Sequence, residues 1–176
     1  MFSGKFRAAL LAGAAVAMLA GCNPRGGADA AATSQAEQAA ADFMAENATQ
    51  EGVETLPSGV QYRVNRAGSP TAARPDSNDL VRVHYEGSLL DGTIFDSSYE
   101  RGVPAAMALD RLIPAWQEAI PQMRIGDEWT LWVPPSEGYG AEGSPPQIPP
   151  YSVLVFRIEL LDVAPVPGGE ADVERG

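Results

Sequence analysis

The sequence has one cysteine, Cys22, and one histidine, His84. A single thiol excludes an intramolecular disulfide, and a single imidazole leaves little from which to build a zinc site or a histidine-dependent triad. His84 falls on the polar side of a predicted strand between Arg82 and Glu86 with no Glu-x-x-His partner, so it reads as a surface or structural hydrogen-bonding residue. Positive charge is scarce: 12 Lys and Arg stand against 23 Asp and Glu, for a formal net charge of -11. That balance excludes the basic stripe a nucleic-acid partner requires. The apolar run Ala8 to Ala20 is shorter than the ~20 residues of a membrane span. Internal repeats and a glycine-rich phosphate loop are missing as well, since Gly138-Tyr139-Gly140 is too short and follows the wrong elements for a dinucleotide fingerprint.

What is present suits one ordinary domain with appendages: 176 residues, of which 45% are apolar. The 18 glycines and 15 prolines stay below the ~25–30% of a low-complexity chain, so a loop-rich but folded body is expected. At the N-terminus, Lys5 and Arg7 precede the Ala8 to Ala20 run, the pattern of a signal-peptide core. It ends in Leu19-Ala20-Gly21-Cys22, which resembles the bacterial lipoprotein processing signal. The resemblance implies removal of residues 1–21, acylation of the Cys22 thiol and membrane attachment through the lipid.

Small residues over 22–33 predict a flexible tether. Ser34-Gln35-Ala36-Glu37 has capping-box spacing and opens a predicted helix to about Asn47, within a helix and linker segment 34–55. The stripe Ala36, Ala39, Ala40, Phe43 and Met44 fits a spacer arm or a short dimerisation helix, and its alanine content favours the spacer. The main domain is expected over 56–163. Val60 to Val64 and Val81 to Tyr85 alternate as strands, with Val81, Val83 and Tyr85 on one face. Leu109 closes a short strand, and Pro114 starts a helix of about two turns that buries Trp116, Ala119 and Ile120 and stops at Pro121. Such a helix cannot stand alone and must lie against a sheet. Trp129, Leu131 and Val133 alternate, a loop over 134–150 carries Tyr139, and Val153 to Val163 reads as the last strand. Residues 164–176 predict a disordered acidic tail. Short strands with hairpin turns and one short helix indicate an α+β domain, a twisted antiparallel sheet wrapped on that helix.

Several runs carry a family resemblance. Val83-His84-Tyr85, Asp91-Gly92, Phe95-Asp96-Ser97-Ser98, Leu112-Ile113-Pro114-Ala115-Trp116, Gly138-Tyr139-Gly140, Ile148-Pro149-Pro150 and Leu154-Val155-Phe156 resemble the FKBP-type peptidyl-prolyl cis/trans isomerases in order and spacing. The stretch from Asp42 to Asn47 with Leu56 to Tyr62 is similar to the bacterial envelope lipoprotein branch of that family, which contains the macrophage infectivity potentiator. That branch often has a long N-terminal dimerisation arm, of which only a short piece would fit here.

The resemblance implies an FKBP-like fold and an apolar site. Tyr85, Phe95, Trp116 and Phe156 would form its walls and floor, with Ile113 alongside. The Ile113 amide and the Tyr139 hydroxyl would hold substrate carbonyls. Asp96 would face the twisting amide, oriented by Tyr85 or Arg101, while Leu112 and Ile148 would flank the substrate. It further implies proline-containing polypeptides as substrates, macrolide inhibitors of the FK506 and rapamycin class as ligands, and neither metal nor cofactor. The place of action would be the bacterial cell envelope, facing the periplasm, with the outer membrane favoured by Asn23. Ala105, Ala115, Ser144 and Gln147 depart from common family residues and trim the apolar rim. A holdase or binding module that grips proline segments without turnover is the alternative of another class.

Overall fold

A computed structural model describes residues 24–167. The expected signal peptide, Cys22 and the tail beyond residue 167 lie outside the described residues. Seven strands form one antiparallel sheet: β1 (Glu54–Thr55), β2 (Gln61–Arg66), β3 (Leu80–Leu89), β4 (Ile94–Ser97), β5 (Ala105–Ala108), β6 (Glu128–Val133) and β7 (Leu154–Ala164). The strand order is β1-β2-β6-β7-β3, and the free edge of β3 is shared: β4 pairs along its second half and β5 along its first. The spine is the β3 and β7 pair, which runs from Leu80 opposite Ala164 to Leu89 opposite Leu154.

Alternation of side chains makes this sheet one-sided. Val81, Val83 and Tyr85 of β3, Trp129, Leu131 and Val133 of β6, and Leu154, Phe156, Ile158 and Leu160 of β7 are all buried. Helix α2 (Pro114–Ala119) contributes Ala115, Trp116 and Ala119 to the same core, and the following turn adds Ile120 and Met123. Six helical residues form too few hydrogen bonds to be stable alone, so sheet contacts hold α2 in place. Pro114 opens it where an amide proton has no helical acceptor. Ser58 secures the other side, its hydroxyl donating to the Glu118 carboxylate.

The sequence-based boundaries shift in three places. Helix α1 spans Pro24–Asn47, so the expected tether over 22–33 is helical from Pro24 onward. Alanine has the best helix propensity, and the alanines after Gly26-Gly27 offset the roughly 1 kcal/mol that each glycine costs. Ser34 is therefore interior, and its hydroxyl donates back to the Ala30 carbonyl at 3.0 Å instead of capping a helix start. Leu109 belongs to a 3-10 turn, Leu109–Arg111, after β5 has ended. At the C-terminal end β7 takes in Ala164, and the Val166 amide donates to Asp79 at 2.9 Å, so the tail expected from 164 is tied to the domain through Val166.

Helix α1 is seated on the domain by its last three turns. Ala40 and Asn47 are buried, the Asn47 amide donates to the Gln61 side chain at 2.8 Å, and Gln61 in turn donates to the Met44 carbonyl at 2.7 Å. These two bonds engage both the oxygen and the nitrogen of the buried Gln61 amide, which an apolar contact made mostly of alanine would not locate so sharply.

Candidate functional site

A cleft of about 400 Å³ opens between the concave face of the sheet, the segment before α2 and the loop after β6. Its volume lies within the ~300–1,000 Å³ common for small-ligand pockets. Three edge-to-face ring pairs build the wall and floor. Tyr85 meets Trp116 at 5.2 Å and 84°, Trp116 meets Phe156 at 5.3 Å and 85°, and Phe156 meets Phe95 at 5.7 Å and 85°. Perpendicular rings present edges and faces that cannot all pack flat, and the space left between them is the cleft. Tyr85 and Phe156 come from the buried side of β3 and β7, Phe95 from β4, and Trp116 from α2, so four separate elements supply the four rings.

Gly87 makes the arrangement fit. A Cβ there would lie 2.6 Å from Phe95 and 2.8 Å from Phe156, inside any real carbon contact. The two rings therefore approach β3 only because that position has no side chain.

At the mouth, the Tyr85 hydroxyl and the Arg101 guanidinium both donate to the Asp96 carboxylate, one to each oxygen. Arg101 also donates to the Tyr85 hydroxyl at 3.0 Å and lies 5.5 Å over its ring. Burial pushes the Asp96 carboxyl up, and the Tyr85 and Arg101 donors more than reverse this, holding it below the ordinary carboxylate value. Burial, together with the Asp96 hydrogen bond, pushes Tyr85 up, so its proton stays on the phenol. Asp96 is thus a fixed negative charge at neutral pH with no proton to give. General acid catalysis is closed to it, and electrostatic positioning is what its geometry permits.

The structure brings together Tyr85, Phe95, Asp96, Leu112, Ile113, Trp116, Tyr139, Ile148 and Phe156 on one cleft; Arg101 stands behind Asp96 and does not line it. Ile113 precedes α2 and its carbonyl accepts from Trp116, while its own amide donates to no group among the described residues. Tyr139 is exposed on the loop after the 3-10 turn Pro135–Glu137, and Ile148 is buried, bonded through its backbone to Ser144 at 2.8 and 3.0 Å. His84 turns to the opposite face, where Nδ1 meets the Ser98 hydroxyl at 2.9 Å and the ring stacks on Tyr99. Among the described residues no three His, Cys, Asp or Glu side chains gather as metal ligands would.

Sequence reasoning missed three contributors. Met107 and Arg111 line the cleft, and Gly87 lets its rings close. A glycine inside a strand was the available signal for Gly87. Met107 was concealed by the short, alanine-rich β5, and Arg111 by its place in a turn.

Comparison with known proteins gives the same reading. The family described as "FKBP-type peptidyl-prolyl cis-trans isomerase" matches residues 71–161, and its amino-terminal domain matches 15–64. The chain is 46% identical over 121 residues to the FKBP-type 22 kDa peptidyl-prolyl cis-trans isomerase of Escherichia coli, covering 69% of this chain and 58% of that one. With the peptidyl-prolyl cis-trans isomerase Mip of Coxiella burnetii it shares 45% over 121 residues, 69% of this chain and 52% of that one. It thus spans about half the length of the curated relatives it matches. Among solved structures, a peptidyl-prolyl cis-trans isomerase of Pseudomonas syringae superposes with a TM-score of 0.71 at 38% identity, covering 76% of this chain and 96% of that one. FkpA of Escherichia coli gives a TM-score of 0.71 at 40% identity, with 77% of this chain and 62% of that one covered. With the family matched across the strands and helix that carry all four rings, the chain belongs to the FKBP-type peptidyl-prolyl cis-trans isomerases.

Proposed function

We propose that this chain accelerates rotation about X-Pro bonds in polypeptides. The barrier is ~18–20 kcal/mol because the twisted amide loses its resonance. Water stabilises the planar, charge-separated form, so an apolar cleft that excludes water favours the twisted one by comparison and needs no covalent step. The observation that carries this reading is an open cleft of four rings, each edge-to-face with the next, with an ionised, doubly held carboxylate at its mouth. The prolyl ring rests on Trp116 between Tyr85, Phe95 and Phe156. The unpartnered Ile113 amide and the Tyr139 hydroxyl take substrate carbonyls. Asp96, oriented by Tyr85 and Arg101, faces the rotating amide, and Leu112 and Ile148 flank the chain. The same cleft accepts macrolides of the FK506 and rapamycin class. The assay is a proline-limited refolding reaction. Acceleration that falls in Phe95→Ala and Asp96→Ala supports the proposal; suppressed aggregation with an unchanged isomerisation rate would instead identify a holdase.

The place of action is the bacterial cell envelope, with the chain anchored by acylated Cys22 on the outer membrane and facing the periplasm. The lipoprotein-like Leu19 to Cys22 run supports this, as does a relative from Legionella longbeachae named "Outer membrane protein MIP", 40% identical over 121 residues. Among the described residues no helix is long and apolar enough to cross a membrane. Palmitate incorporation into the wild type and none into Cys22→Ser is the expected result; equal labelling refutes the anchor.

A further inference from the structure

We propose that Arg111 makes the cleft select proline segments carrying a carboxylate side chain next to the proline. The inference rests on the cleft being the isomerase site. Two charged residues line it, Asp96 and Arg111. The Asp96 charge is already engaged by Arg101 and Tyr85. Arg111 is exposed, and among the described residues its side chain forms no ion pair or hydrogen bond. Most other arginines of the domain are occupied: Arg66, Arg82 and Arg157 by carboxylates, Arg124 by the Ala72 carbonyl, Arg63 by the Trp132 ring, while Arg74, which also forms no ion pair or hydrogen bond among the described residues, does not line the cleft. The adjacent Asp110 does not pair with Arg111 and does not line the cleft. The remaining polar groups of the rim are a serine hydroxyl, a glutamine amide and a phenol, from Ser144, Gln147 and Tyr139. The mouth of the cleft therefore presents an unspent positive charge in a chain whose formal net charge is -11.

Position adds to this. Arg111 comes two residues before Ile113, whose free amide is the candidate carbonyl anchor, so its guanidinium stands beside the path of the bound segment. The negative net charge opposes acidic segments only at long range, because at physiological salt charges more than ~8 Å apart are largely screened. A contact with Arg111 lies inside that distance, and the local attraction wins. A basic residue at the same place meets an unpaired guanidinium and is disfavoured.

The test uses the full chain and two matched peptide series, with Glu, Gln or Lys immediately before or immediately after the proline. In at least one series kcat/KM for Glu should exceed that for Gln by about two- to fivefold, the range for an exposed ion pair, with Lys below Gln. The ratio should approach one in about 0.5 M salt, survive in Arg111→Lys and invert in Arg111→Glu. Equal values for all three peptides in both series, or a ratio that Arg111→Glu leaves in place, overturns the assignment. If no peptide is turned over, the isomerase reading fails by itself. The ratio of dissociation constants for the same peptides, read from tryptophan fluorescence, then decides the role of Arg111 by the same criteria.

Discussion

The two faces of the sheet carry the same three groups, an arginine over a tyrosine ring and paired to a carboxylate, but only on the concave face does the phenol bond the carboxylate. On the concave face Arg101 lies 5.5 Å over Tyr85 and pairs with Asp96; on the convex face Arg157 lies 5.3 Å over Tyr99 and pairs with Glu128 at 3.0 Å. In both trios the carboxyl is held low, the phenol is pushed up by burial and the guanidinium is pushed up by its carboxylate. They differ in what lies next to the carboxylate. Glu128 is 12% exposed and closed in by Arg66 and Asn65, whereas Asp96 is 42% exposed at the lip of an open cleft. The titration behaviour of such a trio is therefore no guide to function. The adjacent cavity separates a site from a staple.

Mutations can break that contrast, and the largest effects are expected at the cavity itself. Phe95→Ala removes one ring from the wall and should lower kcat/KM in a proline-limited refolding assay by roughly tenfold or more, from the ~1.5–3 kcal/mol a buried aromatic contributes. Gly87→Ala should be felt in both stability and activity. Its Cβ drives Phe95 and Phe156 apart, costing about 1–3 kcal/mol of overpacking in urea denaturation and reshaping the cleft. On the opposite face, Glu128→Ala should cost about 1 kcal/mol or less of stability, because half-exposed Arg157 takes water in place of the carboxylate, while kcat/KM per folded molecule stays at the wild-type value. A fall in activity equal to that of Phe95→Ala would erase the distinction between the two trios.

The acid limb sharpens it further. The Arg157 hydrogen bond holds Glu128 below its ordinary value of 4.5, so the folded state binds fewer protons here than the unfolded state does. Its contribution is complete above the unfolded value and is lost as pH falls through the folded one. Glu128→Gln should therefore flatten the decline of stability below about pH 4.5, and an unchanged acid limb would contradict the assignment. Asp96 contributes with the same sign and more weakly, because its pair is half open to solvent. The smallest effect is expected from Tyr139→Phe, which removes one hydroxyl worth about 1 kcal/mol and keeps the ring, so kcat/KM should fall only about fivefold. A loss larger than that from Phe95→Ala would move the weight of catalysis from the apolar wall to the loop.

Much of the fold was legible because burial on one side of a sheet imposes a period of two. Val81, Val83 and Tyr85, then Trp129, Leu131 and Val133, and then Leu154, Phe156, Ile158 and Leu160 declare their face without reference to one another. Pro114 and Pro121 bracket α2 by the same kind of local rule. The start of α1 was obscured because Ser34 satisfies a capping pattern at a place where the helix merely continues. The seating of α1 through Asn47 and Gln61 joins two polar residues whose pairing no periodicity encodes. In the cleft, rings and carboxylate were found through motif spacing, whereas Met107 and Arg111 follow no motif and enter through the path of the turn Leu109–Arg111.

By itself, then, the sequence determined which residues face inward, where the short helix begins and ends, and that one histidine and one cysteine leave little from which to build a metal or nucleophile site. Each of those follows from chain-local rules of alternation, proline geometry and residue supply. The tertiary structure decided that four rings from β3, β4, α2 and β7 meet at right angles around a space instead of filling it. It also decided that Gly87 has to be bare, and that Arg111 stands at the rim without a partner among the described residues. Those are relations between elements far apart in the chain, set by how a twisted sheet closes on a short helix, and no single segment contains them.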